Sequence, residues 1–386
     1  MKRATNSNCH AFTLLELLIV IGILSALAFS AVSLVDESDD HIRLDTSRAR
    51  LFSLRQGVIG EPSSFFNRPP VIQGYVSDMG RLPNSISELI NQGSQPTWNY
   101  HTNSDLWAGW RGPYLHTTTQ HQGIWSFPDG WGNTGDTNNF GWRFEVNQNA
   151  GTLVAQSYGA DGVAGGTGLN ADYPADGLLV REHEALVDVI AWRVIAHLHN
   201  PVGGSGEEPT PPEAPPEDSG LITICHKPDS KNPKTMTISL VALPAHLAHG
   251  DYIGACETEE GSETGSAEGP ALPEEEITVR LRIFYPSDGG LDWPAPWPSS
   301  SAERDAASYL SLPITISPGS IPEGEVVEVE FDFGPTPKPI PMGVRSLAIV
   351  EDSTGERWGA ESQPHWRLPL LPKTQLATFR MAWALE

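Results

Sequence analysis

The chain has 386 residues, of which 48 are acidic and 24 basic, for a net charge of −24. An acidic excess of this size repels nucleic acid and anionic lipid, which sets aside nucleic-acid binding and electrostatic attachment to a membrane surface. With 33 prolines, 37 glycines and only 19% charged residues, the composition predicts short strands and many turns, spread over about two or three domains, rather than helical bundles.

The first predicted element is an apolar helix. A leader, Met1 to Ala11, carries Lys2 and Arg3, and the run from Phe12 to Val32 has Glu16 as its one charged residue. At about 1.5 Å per residue the run can cross a hydrocarbon core about 30 Å thick, with the basic leader left in the cytoplasm. A carboxylate inside such a segment costs on the order of 2.5 kcal/mol or more on insertion, so Glu16 reads as functional. A secretory signal cut after Ala28 and an uncleaved signal anchor are the plain alternatives; a glutamate so early in the apolar run counts against them. Farther on, Leu44, Ser47, Leu51, Leu54 and Val58 recur at steps of three and four. This spacing continues the helix as an amphipathic half until Gly57, Gly60 and Pro62 stop it.

The order Ala11-Phe12-Thr13-Leu14-Leu15-Glu16 resembles the processing signal of type IV pilins and type II secretion pseudopilins. The resemblance implies cleavage between Ala11 and Phe12 by prepilin peptidase, N-methylation of Phe12, and pairing of Glu16 with the terminal amine of a neighbouring subunit. Ala11 stands where the family usually has Gly, but is also small. Removal of the leader leaves 22 basic against 48 acidic residues, a charge of −26.

The next predicted unit, 61–177, is rich in Trp, Tyr, Gly and Asn. It contains, in order, Asp78-Met-Gly-Arg-Leu-Pro83, Gly109-Trp-Arg-Gly-Pro-Tyr-Leu115, Asp129-Gly-Trp-Gly-Asn133 and Ser157-Tyr-Gly-Ala-Asp-Gly162. These blocks resemble the globular domain of the major pseudopilin. Departures are the aromatic spacer Pro96 to Asp105, Gly130 where the family tends to have Pro, and a polar insertion between Asn133 and Gly141. The resemblance implies a calcium site in the Ser157–Asp176 loop, with Asp161, Asp172, the Tyr158 carbonyl and Asn170 as ligands. Hard oxygen donors on a glycine-rich loop suit that ion, while the family's fuller set of closing acids is reduced here to Asp172. An unliganded acidic turn is the alternative.

From Leu178 the pattern changes to period-two alternation. Ile190, Trp192, Val194, Ala196 and Leu198 alternate with Arg193, His197 and His199; Ile277, Val279, Leu281 and Ile283 with Thr278, Arg280 and Arg282; Val327, Val329, Phe331 and Phe333 with Glu328, Glu330 and Asp332. Two further strands are predicted at Val344–Val350 and Gln375–Trp383. Together these predict an antiparallel sandwich from 178–200 and 277–386. Proline- and glycine-rich acidic linkers at 201–220 and 257–276 flank a module, 221–256, inserted in its first loop. The fold class expected is therefore α+β: a long N-terminal helix on a small antiparallel sheet, and beyond it an all-β sandwich.

The module resembles a short unit of secreted bacterial proteins. Cys9 falls in the leader, which leaves Cys225 and Cys256 as a pair. In an oxidising compartment they should form a disulfide. The alternative is zinc on the cysteines; with a disulfide in place, a second metal would be held by His226, His246, His249 and Asp251 alone, the His246-x-x-His249 spacing suiting one helical face. Glu182-His183-Glu184 reads as a solvated turn and Trp293–Trp297 as a proline-stiffened loop. No nucleophile elbow, zincin motif or phosphate loop occurs. The expected function is a structural filament subunit, with other subunits, the inner membrane and prepilin peptidase as partners. Its large C-terminal part suits low-copy or tip use. A surface-displayed minor pilin adhesin is the second reading.

Overall fold

A computed structural model describes residues 14–60, 74–200, 221–256, 275–287 and 297–385, apart from positions 118, 119, 122, 136, 191, 231, 241, 318, 320, 323, 324, 338, 361, 362, 364 and 372–377. Residues 30–38 are described by their backbone alone. The leader, Phe12, the first expected linker, the second up to residue 274 and the loop from Trp293 to Pro296 lie outside the described residues.

One helix, Leu14–Ile59, runs for 46 residues. From Leu14 to Phe29 its large apolar side chains are exposed, Leu14 at 81% and Phe29 at 78%. Among the described residues no helix is long and apolar enough to cross a membrane. The described side chains of this apolar stretch cover about 24 Å of rise; Phe12, Thr13 and the side chains after Phe29, which the expected span also needs, lie outside.

The second half of the helix is locked to the globular part of the chain. Ser47, Leu51, Leu54 and Val58 are buried along the expected stripe, with Leu44 half-buried at its start. Arg50 donates to the carbonyls of Pro128 and Asp129, the latter at 2.9 Å. Arg55 grips Glu184 with two hydrogen bonds of 2.8 and 2.9 Å. Glu184 is therefore a docking point for the helix, while Glu182 and His183 beside it stay solvated as expected. The Gly130 N–H donates to Ser47 Oγ at 2.9 Å, and a Cβ at Gly130 would overlap the Arg43 carbonyl. That close approach explains why glycine, with no ring and a usable N–H, occupies this position.

Behind the helix lie two short helices, Tyr75–Met79 and Ser87–Ile90, and an antiparallel sheet of Arg143–Asn147, Thr152–Gln156 and Leu178–Val180. The third strand corrects the expected boundary after 177. Leu178–Val180 pairs with Leu153 and Val154, and so completes the small sheet instead of opening the sandwich.

The C-terminal part holds two larger sheets. One is four-stranded and antiparallel: Ile314–Ile316, Ile277–Phe284, Gly343–Glu351 and Trp366–Leu370. The other has six strands in the order Lys234–Ser239, Leu221–His226, Tyr252–Ile253, Thr378–Ala384, Arg193–His199, Val326–Asp332. Both contribute to one apolar core, Leu281, Ile283, Leu347 and Ile349 from the first and Val194, Phe331, Met381 and Trp383 from the second. Two expectations change here. The six-stranded sheet is mixed, because Thr378–Ala384 runs parallel to both of its neighbours. The cysteine-bounded segment, expected as an insertion in a loop of the sandwich, also supplies three strands of this sheet, since Tyr252–Ile253 joins its hairpin to Arg380 and Met381.

Two buried arginines mark where alternation misleads. Arg280, expected on an outward face, is fully buried: it is paired with Asp352, donates to Asp305 at 2.7 Å and reaches the Ser311 carbonyl at 2.8 Å. A helix at Ser301–Ala306, opened by a capping box between Ser300 and Glu303, carries Asp305 over that face. Arg345 is 1% exposed and joins the two halves of the protein. It donates to the carbonyls of Pro341 at 2.9 Å, Val344 at 2.8 Å and Ser77 at 3.1 Å, and also to that of Met342. Burial pushes its guanidinium down to about 9, against the raising influence of Asp78.

Candidate functional site

The residues singled out in the sequence fall in three separate places. Ala11 and Phe12 lie outside the described residues. Glu16 sits in the first turn of the Leu14–Ile59 helix, on its exposed part.

The Ser157–Asp176 loop closes on itself through backbone bonds: Ser157 and Tyr173 exchange N–H···O contacts of 2.8 and 2.9 Å, and Ala160 N–H meets the Leu169 carbonyl at 2.9 Å. Asp161 accepts the Val163 N–H at 3.1 Å and Asp172 accepts the Gly165 N–H at 3.0 Å, each through Oδ1. A second oxygen of each carboxylate thus stays available for a hard cation. Gly159 and Gly166 have positive φ, and a Cβ at either would run into Asn170, so the loop needs glycine at both positions.

The base of this loop is held by Asp129, which has no site signal of its own in the sequence. It is buried and accepts the Ser157 hydroxyl at 2.6 Å, the Asn133 side-chain amide at 2.9 Å, and the N–H groups of Trp131 and Asn133. Asn133 in turn donates to the Gly159 carbonyl at 3.1 Å. The third sequence block therefore braces the fourth. The first two are braced likewise: Asp78, 2% exposed, takes Arg111 at 3.1 and 3.0 Å and the Tyr114 hydroxyl at 3.0 Å. Burial raises the Asp78 carboxyl to about 6, against the pull of Arg111 and Tyr114.

In the third place, Cys225 and Cys256 form a disulfide. Next to it, His226 ends one strand, His246 lies on the short helix Leu243–Ala248, and Asp251 precedes Tyr252. Asp251 Oδ2 meets His226 Nδ1 at 2.8 Å and His246 Nδ1 at 2.7 Å, and Oδ1 accepts the Lys227 N–H at 2.9 Å. Burial works to raise the Asp251 carboxyl, but hydrogen bonds from His226, Lys227 and His246 outweigh it and hold the group below its ordinary range. One ligand atom from each of His226, His246 and Asp251 can be chosen so that all three lie within 4.8 Å of one another. His249 is not brought in: it caps the C-terminus of the short helix and is exposed. The helix ends one residue too early to carry both histidines on one face.

Residues 6–32 match the family model of the prokaryotic N-terminal methylation motif, the signature of type IV pilins and pseudopilins. The chain is pilin-like at its N-terminus. No curated protein and no solved structure matches it. For the pilin-like segment the match has a direct meaning: it is the kind of N-terminus that prepilin peptidase processes and that assembles with other pilin subunits. Most of the chain lies beyond the matched residues, so the role of each later part rests on its own geometry.

Proposed function

We propose that this protein is a structural subunit, not an enzyme, of a type II secretion or type IV pilus-like filament, used at low copy or at the tip. The observation that carries the reading is the continuity of one helix, from the methylation motif through to a half that Ser47, Arg50 and Arg55 fasten onto a globular body. That arrangement supports a subunit whose N-terminal end packs among its neighbours while its body faces outward. In this reading Phe12–Val35 anchors the precursor in the inner membrane with the rest periplasmic. The Glu16 carboxylate neutralises a neighbour's N-terminal amine in an apolar setting, where a lone charge would be costly.

Co-expression with a prepilin peptidase should yield a mature chain beginning at N-methyl-Phe12. Glu16→Ala should be cleaved normally but fail to enter sheared filaments. Mature protein beginning after Ala28, or full incorporation of the variant, would defeat the reading.

The proposal extends to calcium in the Ser157–Asp176 loop, held by Asp161, Asp172, the Tyr158 carbonyl and Asn170, where the ion would tie the two ends of the loop by charge. The second oxygens of Asp161 and Asp172 fit this role. Calcium at a hundredfold excess over its Kd should then stabilise the chain by about 2.7 kcal/mol, and Asp161→Ala should abolish the gain. A melting temperature indifferent to chelator would exclude the ion.

A further inference from the structure

We infer that His226, His246 and Asp251 form a binding site for a zinc-class divalent cation, beside the Cys225–Cys256 bridge and independent of the filament reading. The three side chains come from a strand end, a helix and a strand start, and they converge on one point. Asp251 Oδ2 lies 2.8 Å from His226 Nδ1 and 2.7 Å from His246 Nδ1, and the two rings stand 78° apart with centroids at 5.6 Å.

The carboxylate is 1% exposed while the imidazoles are 30% and 26% exposed, so the cluster has a fixed buried floor and an open side facing solvent. The floor is rigid: the Lys227 N–H holds Asp251 Oδ1, and Lys227 adopts a φ of 54° next to the disulfide residue pair. The Asp251 N–H also meets the His246 carbonyl at 3.2 Å, which fixes the helix against the strand start.

Without metal, both rings donate Nδ1–H to the same oxygen. A cation would take the place of those two protons. With metal–ligand bonds of about 2.0–2.1 Å in a tetrahedral arrangement, the ligand atoms would sit about 3.3–3.4 Å apart, so the imidazoles need to withdraw by about half an ångström on their open side. In that state each neutral ring binds through its Nδ1 lone pair and carries its single proton on Nε2 instead of Nδ1. Two imidazoles with one carboxylate favour a borderline cation over calcium or magnesium, which prefer all-oxygen shells. Three protein ligands leave a fourth position for water. The disulfide keeps both sulfurs out of the ligand set, so the site is built without thiolate. Bound metal would pin the Leu243–Ala248 helix to the two strands that carry His226 and Tyr252.

The test uses the detergent-purified full chain, stripped with chelator and titrated with zinc chloride. One equivalent should bind saturably. The variant carrying both His226→Gln and His246→Gln keeps an N–H donor for Asp251 at each position but offers no imidazole; it should bind about a hundredfold more weakly. His249→Gln should bind as the parent does. Cobalt(II) on the unaltered protein gives a reading that needs no variant: ligand-field bands without thiolate charge-transfer are expected. Absence of saturable zinc uptake would overturn the inference and leave the cluster a hydrogen-bonded strut. Unchanged uptake by the double variant, or a thiolate band with cobalt, would overturn it equally, by placing the metal elsewhere.

Discussion

Replacing Arg345 with Met tests whether a buried charge holds the two halves of this protein together. Methionine has a similar length and no charge, so packing changes little while four hydrogen bonds vanish, to the carbonyls of Pro341, Met342, Val344 and Ser77. Hydrogen bonds from a charged donor contribute about 1.5–3 kcal/mol each, but the substitution also removes the cost of burying the guanidinium, which is several kcal/mol. That cost is visible in the lowering of the Arg345 pKa to about 9. The balance should be a loss of about 3–5 kcal/mol, because the carbonyls stay buried after their donor is gone. Urea unfolding of the full chain in detergent, monitored by tryptophan fluorescence, measures it, and amide exchange at Ser77–Met79 should quicken in parallel. A loss below about 1 kcal/mol, or a gain, would refute the argument and show that desolvation cancels the bonds.

Two further groups should set the pH dependence of stability in opposite senses. Burial lowers His365 from 6.5 to about 4, with Arg357 and Arg282 adding to the effect, so its contribution is whole above pH 6.5 and is lost as pH falls toward 4. Asp78 is raised from 3.8 to about 6, so its contribution is whole below pH 3.8 and is lost as pH rises through 6. His365→Phe, which keeps the ring packed on Phe284, should therefore show a stability difference from the parent that changes by about 3 kcal/mol between pH 4 and 6.5; a flat difference would rule this out. Gly130→Ala should cost about 1–3 kcal/mol by forcing its methyl group against the Arg43 carbonyl. Gly130→Pro should cost more, since it also removes the N–H given to Ser47; equal unfolding midpoints for the two variants would contradict the role of that bond.

The elements legible in the sequence were those with a local period. The stripe Ser47, Leu51, Leu54, Val58 and the alternations around Val194, Leu281 and Phe331 are buried where spacing placed them. The disulfide was legible because two cysteines remain once the leader is set aside. What the sequence did not show depends on partners far along the chain. Arg280 looks like any outward strand residue until Asp352 and the helix carrying Asp305 are laid over it. No local pattern tells a parallel pairing from an antiparallel one, so the neighbours of Thr378–Ala384 went unseen. The residue types drew attention to the segment that holds His226, His246 and Asp251, but only the end of the short helix shows that His249 stands apart and Asp251 is central. Asp129 and Asp78 lay inside recognised blocks; a buried carboxylate beside Ser157 or Arg111 gives no signal until the fold brings them together.

The position of Thr378–Ala384 in the six-stranded sheet has a consequence for how the molecule comes into being. Its neighbours, Arg193–His199 and Tyr252–Ile253, precede it by well over a hundred residues, and it is the strand that joins them. As the polypeptide is made in order, the cysteine-bounded hairpin and the pair of strands Arg193–His199 and Val326–Asp332 appear first, each with an unfilled edge. Long-range pairings of this kind close late, because the intervening loop entropy must be overcome before any contact rewards it. Without Thr378–Ala384 the sheet is in two parts, which that strand joins. Completion of the sheet is thereby tied to the arrival of Thr378–Ala384, and a chain cut short before it lacks the strand that joins the two parts.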